Sequence, residues 1–273
     1  MKIGLIGAQN SHSKNFCDII NKNHTWDDVI ISYIYGADDS EQAKRLCEEF
    51  NLTECSGEDE VIEKSDAVVI TYRKGSAHYQ AVIKAIKAGK PVFNDKPFVT
   101  NIKEAEEIIA LAKQRGVLLS GGSGLKSLPE IAEIKESITA GSTVLISYAA
   151  DIASEYDGYW FYGIHAVELC VELCGLDFIS VQAFNNNGVM ITNVLYADKL
   201  CVIATAPQSG NLTISVSNPN NGNIICRTVP MNFHSVGPSE LVNMVKTGNP
   251  PRDYAYYLKS VELMSRIIET AGI

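Results

Sequence analysis

Two rhythms of apolar and polar positions divide this chain. Over the first 120 residues, short apolar runs alternate with stretches whose apolar residues recur three and four apart. A strand buried on both faces reads as a near-continuous apolar run, and a helix lying on it reads as a 3.6-residue stripe. The alternation therefore predicts βαβ units on a parallel sheet. Strands are expected at 2–6, 29–35, 67–71, 91–94 and 117–120, and helices at 13–21, 40–51, 77–88 and 102–115. In the second of these helices Ser40 reads as the capping residue, with Ala43, Leu46, Cys47 and Phe50 on one face.

After about residue 140 the period becomes two. Strands are expected at 143–149, 178–184, 190–196, 200–206, 212–216 and 224–229. Their connections are turn chemistry: Asn187-Gly188, Ser209-Gly210 and the asparagine-rich 218–222. Consecutive strands are thus expected to pair as antiparallel hairpins. One helix interrupts them at 163–174, closed by Gly175 in the left-handed conformation, and two more at 238–246 and 254–270 finish the chain. The fold expected is α/β followed by α+β: a doubly wound parallel sheet over 1–120, then a domain with a large open antiparallel sheet over 121–273. No internal repeat or low-complexity run interrupts this plan.

Composition narrows the partners. With 273 residues, 46% hydrophobic and 20% charged, the chain has material for one large core or two modest ones, which excludes a disordered or fibrous protein. Its net charge is -9, and the 23 basic residues are scattered, so it lacks the basic footprint a nucleic acid needs. No apolar run reaches the roughly 18 residues of a membrane span, and the chain opens directly on a strand, so no membrane partner and a cytoplasmic location are expected. The seven cysteines include no CxxC pair and read as reduced, mostly buried thiols; no metal site is expected.

Candidate chemistry begins with the strand, tight turn and helix in MKIGLIGAQNSHSKNF. Backbone N–H groups at such a turn attract a pyrophosphate, and a dinucleotide fingerprint places three glycines there. Only Gly7 is in register; Gln9 and His12 hold the second and third places. A side chain at the second place hinders approach of the backbone to phosphate, and His12 at the third loosens packing of helix on strand. Asn10 and Ser11 offer side-chain donors instead. Asp38 or Asp39, past the second strand, stands where a carboxylate accepts from the adenosine ribose and repels a 2'-phosphate, favouring NAD over NADP; the same Asp-Ser-Glu run is also how a helix starts.

Ser65-Asp66-Ala67-Val68-Val69-Ile70-Thr71, His78, and Ala88-Gly89-Lys90-Pro91-Val92-Phe93-Asn94-Asp95-Lys96-Pro97 form the most specific stretch of the chain. Gly121-Gly122-Ser123-Gly124-Leu125-Lys126 and Tyr162-Gly163-Ile164-His165-Ala166-Val167-Glu168 follow. Together these resemble the glucose-fructose oxidoreductase, inositol dehydrogenase and rhizopine-catabolism family, Gfo/Idh/MocA, over nearly the whole chain. Asp95 replaces the glutamate of that family's Glu-Lys-Pro motif. The resemblance implies a cofactor site drawing on Gly7, Gln9, Asn10, Ser11, His12, Asp38, Thr71, Tyr72, Arg73, His78, Asp95 and Lys96. It assigns Lys96 the exchange of a proton with a substrate hydroxyl, and His165 a second acid–base role. Lys126, Asp157, Tyr162 and His165 are candidate substrate residues.

Three departures stand out. Gln9 and His12 replace glycines; Phe161 replaces the aspartate often found four residues before the histidine, with Asp157 a possible substitute in the aromatic run 156–162; and Thr71-Tyr72-Arg73-Lys74 replaces a neutral turn, so that Arg73 and Lys74 offer phosphate contacts. His165, Glu168 and Glu172 share a helix face. The function expected is an NAD(P)-dependent oxidoreductase acting on a sugar, polyol or related hydroxy compound, with a ligand-binding or regulatory protein that has lost turnover as the alternative. The uncovered face of an antiparallel sheet predicts a homodimer or homotetramer.

Overall fold

The computed structural model describes residues 1–208 and 210–273; Ser209, and with it half of the expected Ser209-Gly210 turn, lies outside the described residues. Six strands, β1 (Lys2–Ile6), β2 (Ile30–Tyr35), β3 (Thr53–Glu54), β4 (Ala67–Ile70), β5 (Val92–Asn94) and β6 (Leu119–Gly121), form one sheet in the order β3-β2-β1-β4-β5-β6. Every pairing in it is parallel. Five helices connect them: α1 (Ser11–Cys17), α2 (Ser40–Phe50), α3 (Glu58–Lys64), α4 (His78–Lys87) and α5 (Ile102–Arg115). The strand order reverses at β1 and β4, the place where a doubly wound sheet opens a crevice at its carboxyl edge.

Two of these elements escape the periodicity. β3 has two residues, both exposed, and α3 has seven, of which only Val61 and Ile62 are buried apolar side chains. Neither is long enough to show a stripe. The α3 start is instead electrostatic, with Glu58, Asp59 and Glu60 in its first turn against the positive end of the helix dipole. Two caps also differ in detail from expectation. Asp39, not Ser40, caps α2, its carboxylate accepting from the Gln42 N–H at 3.0 Å, so Ser40 is the first helical residue. α1 starts at Ser11 and passes into a π-helical turn, Asp18–Lys22.

The remaining elements are α6 (Pro129–Glu136), β7 (Thr143–Ala149), α7 (Trp160–Cys174), β8 (Ser180–Asn186), β9 (Val189–Leu195), β10 (Leu200–Ala206), β11 (Thr213–Asn218), β12 (Asn223–Thr228), α8 (Val236–Thr247) and α9 (Ala255–Ala271). α6 falls where no helix is expected. The chain divides into two compact units, Met1–Gly122 with His234–Tyr254, and Ser123–Phe233 with Ala255–Ile273. This differs from a single cut near residue 120 because α8 returns to the first unit. Leu241, Val242 and Met244 of α8 share a buried cluster with Ile3, Leu5, Ile31, Val69 and Phe93, and the Tyr254 hydroxyl accepts from the Leu119 N–H at 3.1 Å.

The second unit is built on a sheet of order β12-β11-β7-β10-β9-β8. β8, β9 and β10 meander antiparallel, with Asn187 and Gly188 both at positive φ, the requirement of a tight hairpin turn. β11 and β12 form a second hairpin. The expectation that all consecutive strands pair fails between β10 and β11. β7 lies between them, parallel to β10 and antiparallel to β11, so the sheet is mostly rather than wholly antiparallel. The physical reason is that β7 has a buried alternate row, Val144, Ile146 and Tyr148, and α7 carries the chain away before β8 forms. Both edges of β7 are then open to later strands. Gly175 ends α7 at φ 100 and ψ -177, a glycine-only region but not the left-handed helical one expected. The row on the far side of this sheet, including Leu145, Phe184, Ile191 and Leu195, is exposed.

Candidate functional site

In the first unit the polar groups gather where β1 turns into α1. Gly7 sits at φ 98, and a Cβ there would lie 2.7 Å from the Tyr72 nitrogen, so only glycine allows β1 to pass this close to the segment after β4. The Thr71 hydroxyl donates to the Gly7 carbonyl at 2.9 Å. Beyond Gly7 none of residues 8 to 13 has positive φ, and the turn is held by side chains instead. The Asp38 carboxylate accepts from the N–H groups of Ala8 at 2.9 Å and Gln9 at 3.1 Å, while Asn10 caps α1 by accepting from the His12 N–H at 3.1 Å. Ser13, fully buried, donates to the Asn10 carbonyl at 2.6 Å. Gln9 is half-buried and Ser11 exposed. The two acidic candidates after β2 thus have separate positions: Asp38 on the turn and Asp39 on the α2 cap.

β5 delivers Asp95 and Lys96 to the same place. Both are buried, at 3% exposure each. The Asp95 backbone N–H donates to Ile70 at 2.9 Å, and its carboxylate accepts from His12 Nδ1 at 2.9 and 2.8 Å and from Asn10 Nδ2 at 3.0 Å. Burial pushes that carboxyl up, but the charge and hydrogen bond of His12, with Lys96 and His78 nearby, outweigh it and hold the group at about 2. For Lys96 burial wins. Desolvation, with Arg73 adding repulsion, brings the amine down to about 8 against the pull of Asp95.

His78 is wholly buried, its Nε2 donating to the Tyr72 carbonyl at 2.7 Å, and burial pushes its pKa down. The Tyr72 hydroxyl points away to Glu58 at 2.7 Å, and burial raises its pKa. Arg73 is half-buried beside this group.

The second unit has its own buried polar cluster on α7. His165 Nδ1 lies 2.7 Å from Ser123 Oγ and is ringed by Tyr148, Tyr162 and Phe233, with centroids 5.8, 5.7 and 6.2 Å away. One turn on, the Glu168 carboxylate accepts from the Ser123 N–H at 3.0 Å and pairs with Lys126 at 3.3 Å. Lys126 also donates to the Ser123 carbonyl at 2.7 Å, and Tyr256 donates to the Glu168 carbonyl at 2.8 Å. Lys126 and Glu168 are almost wholly buried. The third group on that helix face, Glu172, pairs instead with Lys135 of α6 at 2.8 Å.

Phe161 is buried, its ring tilted against Tyr156 and edge-on to Tyr162 with centroids 4.9 Å away in each case. Tyr162 is 41% exposed. Asp157 stands in the turn ahead of α7 at φ 64. Ser123 was not among the sequence candidates; the Gly-Gly-Ser-Gly turn preceding Lys126 is the signal that points to it.

Residues 1–123 match the family model GFO_IDH_MocA, described as "Oxidoreductase family, NAD-binding Rossmann fold". Among curated proteins, scyllo-inositol 2-dehydrogenase (NADP(+)) IolU of Bacillus subtilis is 34% identical over 97 residues, 34% of this chain and 29% of that protein. Inositol 2-dehydrogenase/D-chiro-inositol 3-dehydrogenase of Lactiplantibacillus plantarum is 31% identical over 157 residues, 53% of this chain and 45% of that protein. The chain thus spans half or less of these relatives. Over its whole length it is similar in fold to the crystal structure of GenD2 from gentamicin A biosynthesis in complex with NAD, with TM-score 0.87 at 16% identity, covering 100% of this chain and 94% of that one. Over residues 1–123, then, the chain is similar to the Gfo/Idh/MocA oxidoreductase family and its NAD-binding Rossmann fold.

Proposed function

We propose that this chain is a nicotinamide-dependent oxidoreductase that transfers a hydride between NAD and a carbinol carbon of a sugar, polyol or related small hydroxy compound. The observation that carries this reading is Lys96: a buried amine brought to about 8, just beyond β5 on the carboxyl edge of the matched Rossmann sheet. When bound, the nicotinamide supplies the hydride chemistry. The turn fits such a group in one respect and departs in another. Gly7 gives the close approach, whereas Asp38 already grips the Ala8 and Gln9 amides, and Ser11 on the same turn is exposed.

Lys96 performs the proton step in this reading. With an ordinary lysine at about 10.4 almost no neutral amine exists at pH 7, whereas at about 8 roughly one molecule in ten carries it. The neutral amine accepts the proton of a substrate hydroxyl, and the ammonium returns it in the reverse direction. Asp38 supports NAD over NADP, since its carboxylate sits on the turn and repels a 2'-phosphate. His165 is the acid–base candidate of the second unit, with Ser123 fixing its ring. The names of the relatives, inositol dehydrogenases among them, support a polyol or sugar substrate.

The test is calorimetric titration of the purified protein with NAD, NADH, NADP and NADPH, followed by a polyol and sugar screen for NAD reduction. Binding that favours the NAD pair and weakens in Asp38→Ala, together with turnover, supports the reading. Nucleotide binding without turnover on any polyol or sugar favours the non-catalytic alternative, and absence of nucleotide binding removes both the cofactor and the reaction. The reading includes a homo-oligomer, supported by the exposed row of Leu145, Phe184, Ile191 and Leu195 on one sheet face. A monodisperse monomer in light scattering removes that part alone.

A further inference from the structure

We propose that His12 is a positioning residue for Lys96: together with Asn10 it holds the Asp95 carboxylate on the β1–α1 turn and so keeps that charge from closing onto the lysine amine. The proposal rests on the reading of Lys96 as the group that exchanges the substrate proton.

The geometry is specific. Asp95 is the residue immediately before Lys96, so its carboxylate is the negative charge nearest to the amine along the chain. A carboxylate with only 4% of its side chain exposed must find donors within the protein or suffer a large desolvation cost. It finds them on the turn. His12 Nδ1 reaches both oxygens, at 2.9 and 2.8 Å, and Asn10 Nδ2 reaches one at 3.0 Å. Both donors occupy the segment where the dinucleotide fingerprint would place small residues, and His12 stands in the place of its third glycine. With glycine there, the carboxylate would keep Asn10 alone. The close packing that glycine usually provides falls to the next residue, Ser13, which is fully buried and bonded to the Ala8 and Asn10 carbonyls. His12 is thereby released to face Asp95.

The charged neighbours define what happens when this grip is lost. Asp95 is faced by His12, Lys96 and His78. Lys96 is faced by Asp95 and Arg73. His12 is faced by Asp95 and by His234, whose Nδ1 lies 2.9 Å from the Asn15 amide. His78 is buried, donates to the Tyr72 carbonyl and is pushed toward its neutral form. Lys96 is then the cation adjoining Asp95 that can take over the carboxylate. A direct ion pair would favour the ammonium and raise the amine from about 8 toward the ordinary lysine value, emptying the neutral form the reaction uses.

The experiment is the titration of Lys96 itself, by competitive labelling of amines with acetic anhydride across pH 6 to 11 and peptide mass spectrometry, in the full chain without nucleotide. The variants are His12→Ala, which removes the donor to Asp95, and His12→Asn, whose Nδ2 takes the place of Nδ1 as a donor. The expected result is an upward shift of the Lys96 midpoint by about 1 pH unit or more in His12→Ala, in line with a new opposite charge nearby, and a midpoint near that of the parent in His12→Asn. An unchanged midpoint in His12→Ala, or equal shifts in both variants, overturns the proposal. If His12→Ala does not fold, Asn10→Ala takes its place, and a midpoint there equal to the parent's overturns the proposal equally. A parent Lys96 that titrates as an ordinary lysine would instead remove the reading of Lys96 on which the proposal stands, so the two failures are distinct.

Discussion

The two units each bury a lysine beside a carboxylate, and they do so in opposite ways. Lys126 is matched directly: Glu168 lies 3.3 Å away, the Ser123 carbonyl accepts at 2.7 Å, and both charged side chains are sealed from water. Lys96 has Asp95 as its neighbour in the chain, but that carboxylate is claimed by His12 and Asn10. The first arrangement compensates a charge and fixes a turn onto a helix. The second leaves an amine desolvated beside a carboxylate already engaged, which is how a lysine becomes exchangeable near neutral pH. Burial alone does not distinguish a structural lysine from a poised one; the prior engagement of its partner does.

The strongest way to break this contrast is Lys96→Met. Nucleotide binding should persist while turnover falls about 100- to 10,000-fold, the usual size of a lost general acid–base group. Retention of more than a tenth of the rate would end the catalytic assignment. The matching change in the second unit is Glu168→Ala, which leaves the Lys126 ammonium buried without its partner and should destabilise the fold by about 3–5 kcal/mol in urea unfolding. Replacing Lys126 and Glu168 together with methionine and leucine should recover much of that loss; no recovery would show that the pair does more than balance charge.

A third effect concerns pH and has a definite sign. The folded Lys96 sits at about 8, below its ordinary value of 10.5, so between those limits the unfolded chain binds the additional proton. Stability contributed by this group therefore rises as pH climbs from about 8 to 10.5, by up to about 3 kcal/mol. Lys96→Met should be more stable than the parent at pH 7, with the gap closing by pH 10.5; a constant gap would contradict the depressed amine. The smallest effect expected is that of Ser123→Ala, which removes the hydroxyl at 2.7 Å from His165 and should cost about 1 kcal/mol. Its sharper readout is the His165 ring resonance by NMR, which should shift while that of His78 stays in place.

Much of the architecture is legible in the chain. The parallel strands appear as apolar runs because both faces of that sheet are covered, and the hairpins of the second sheet appear through Asn187-Gly188 and the asparagine-rich 218–222. The elements that escape are short or locally polar: β3, α3 and α6 have too few buried positions to print a period. The insertion of β7 between β10 and β11 is invisible because period two reports which face a residue occupies, never which strand lies next to it. Lys96 and His165 are visible as motif residues. Ser123 and the joining of His12 to Asp95 are not, since their partners lie 42 and 83 positions away.

What the amino-acid order determined by itself is the periodicity, and with it two sheets of different kinds, the tight turn at Gly7, and the chemical inventory near Asp95-Lys96-Pro97 and His165. Those are local properties, set by side-chain spacing, φ preference and charge. What only the tertiary structure decided is which of those groups meet. The return of α8 to the first unit, the central place of β7, the pairing of Lys126 with Glu168, and the bonding of Asp95 to His12 all depend on contacts distant in sequence. A buried charge takes its properties from whatever surrounds it in space, and two buried lysines therefore meet different partners, which spacing along the chain does not specify.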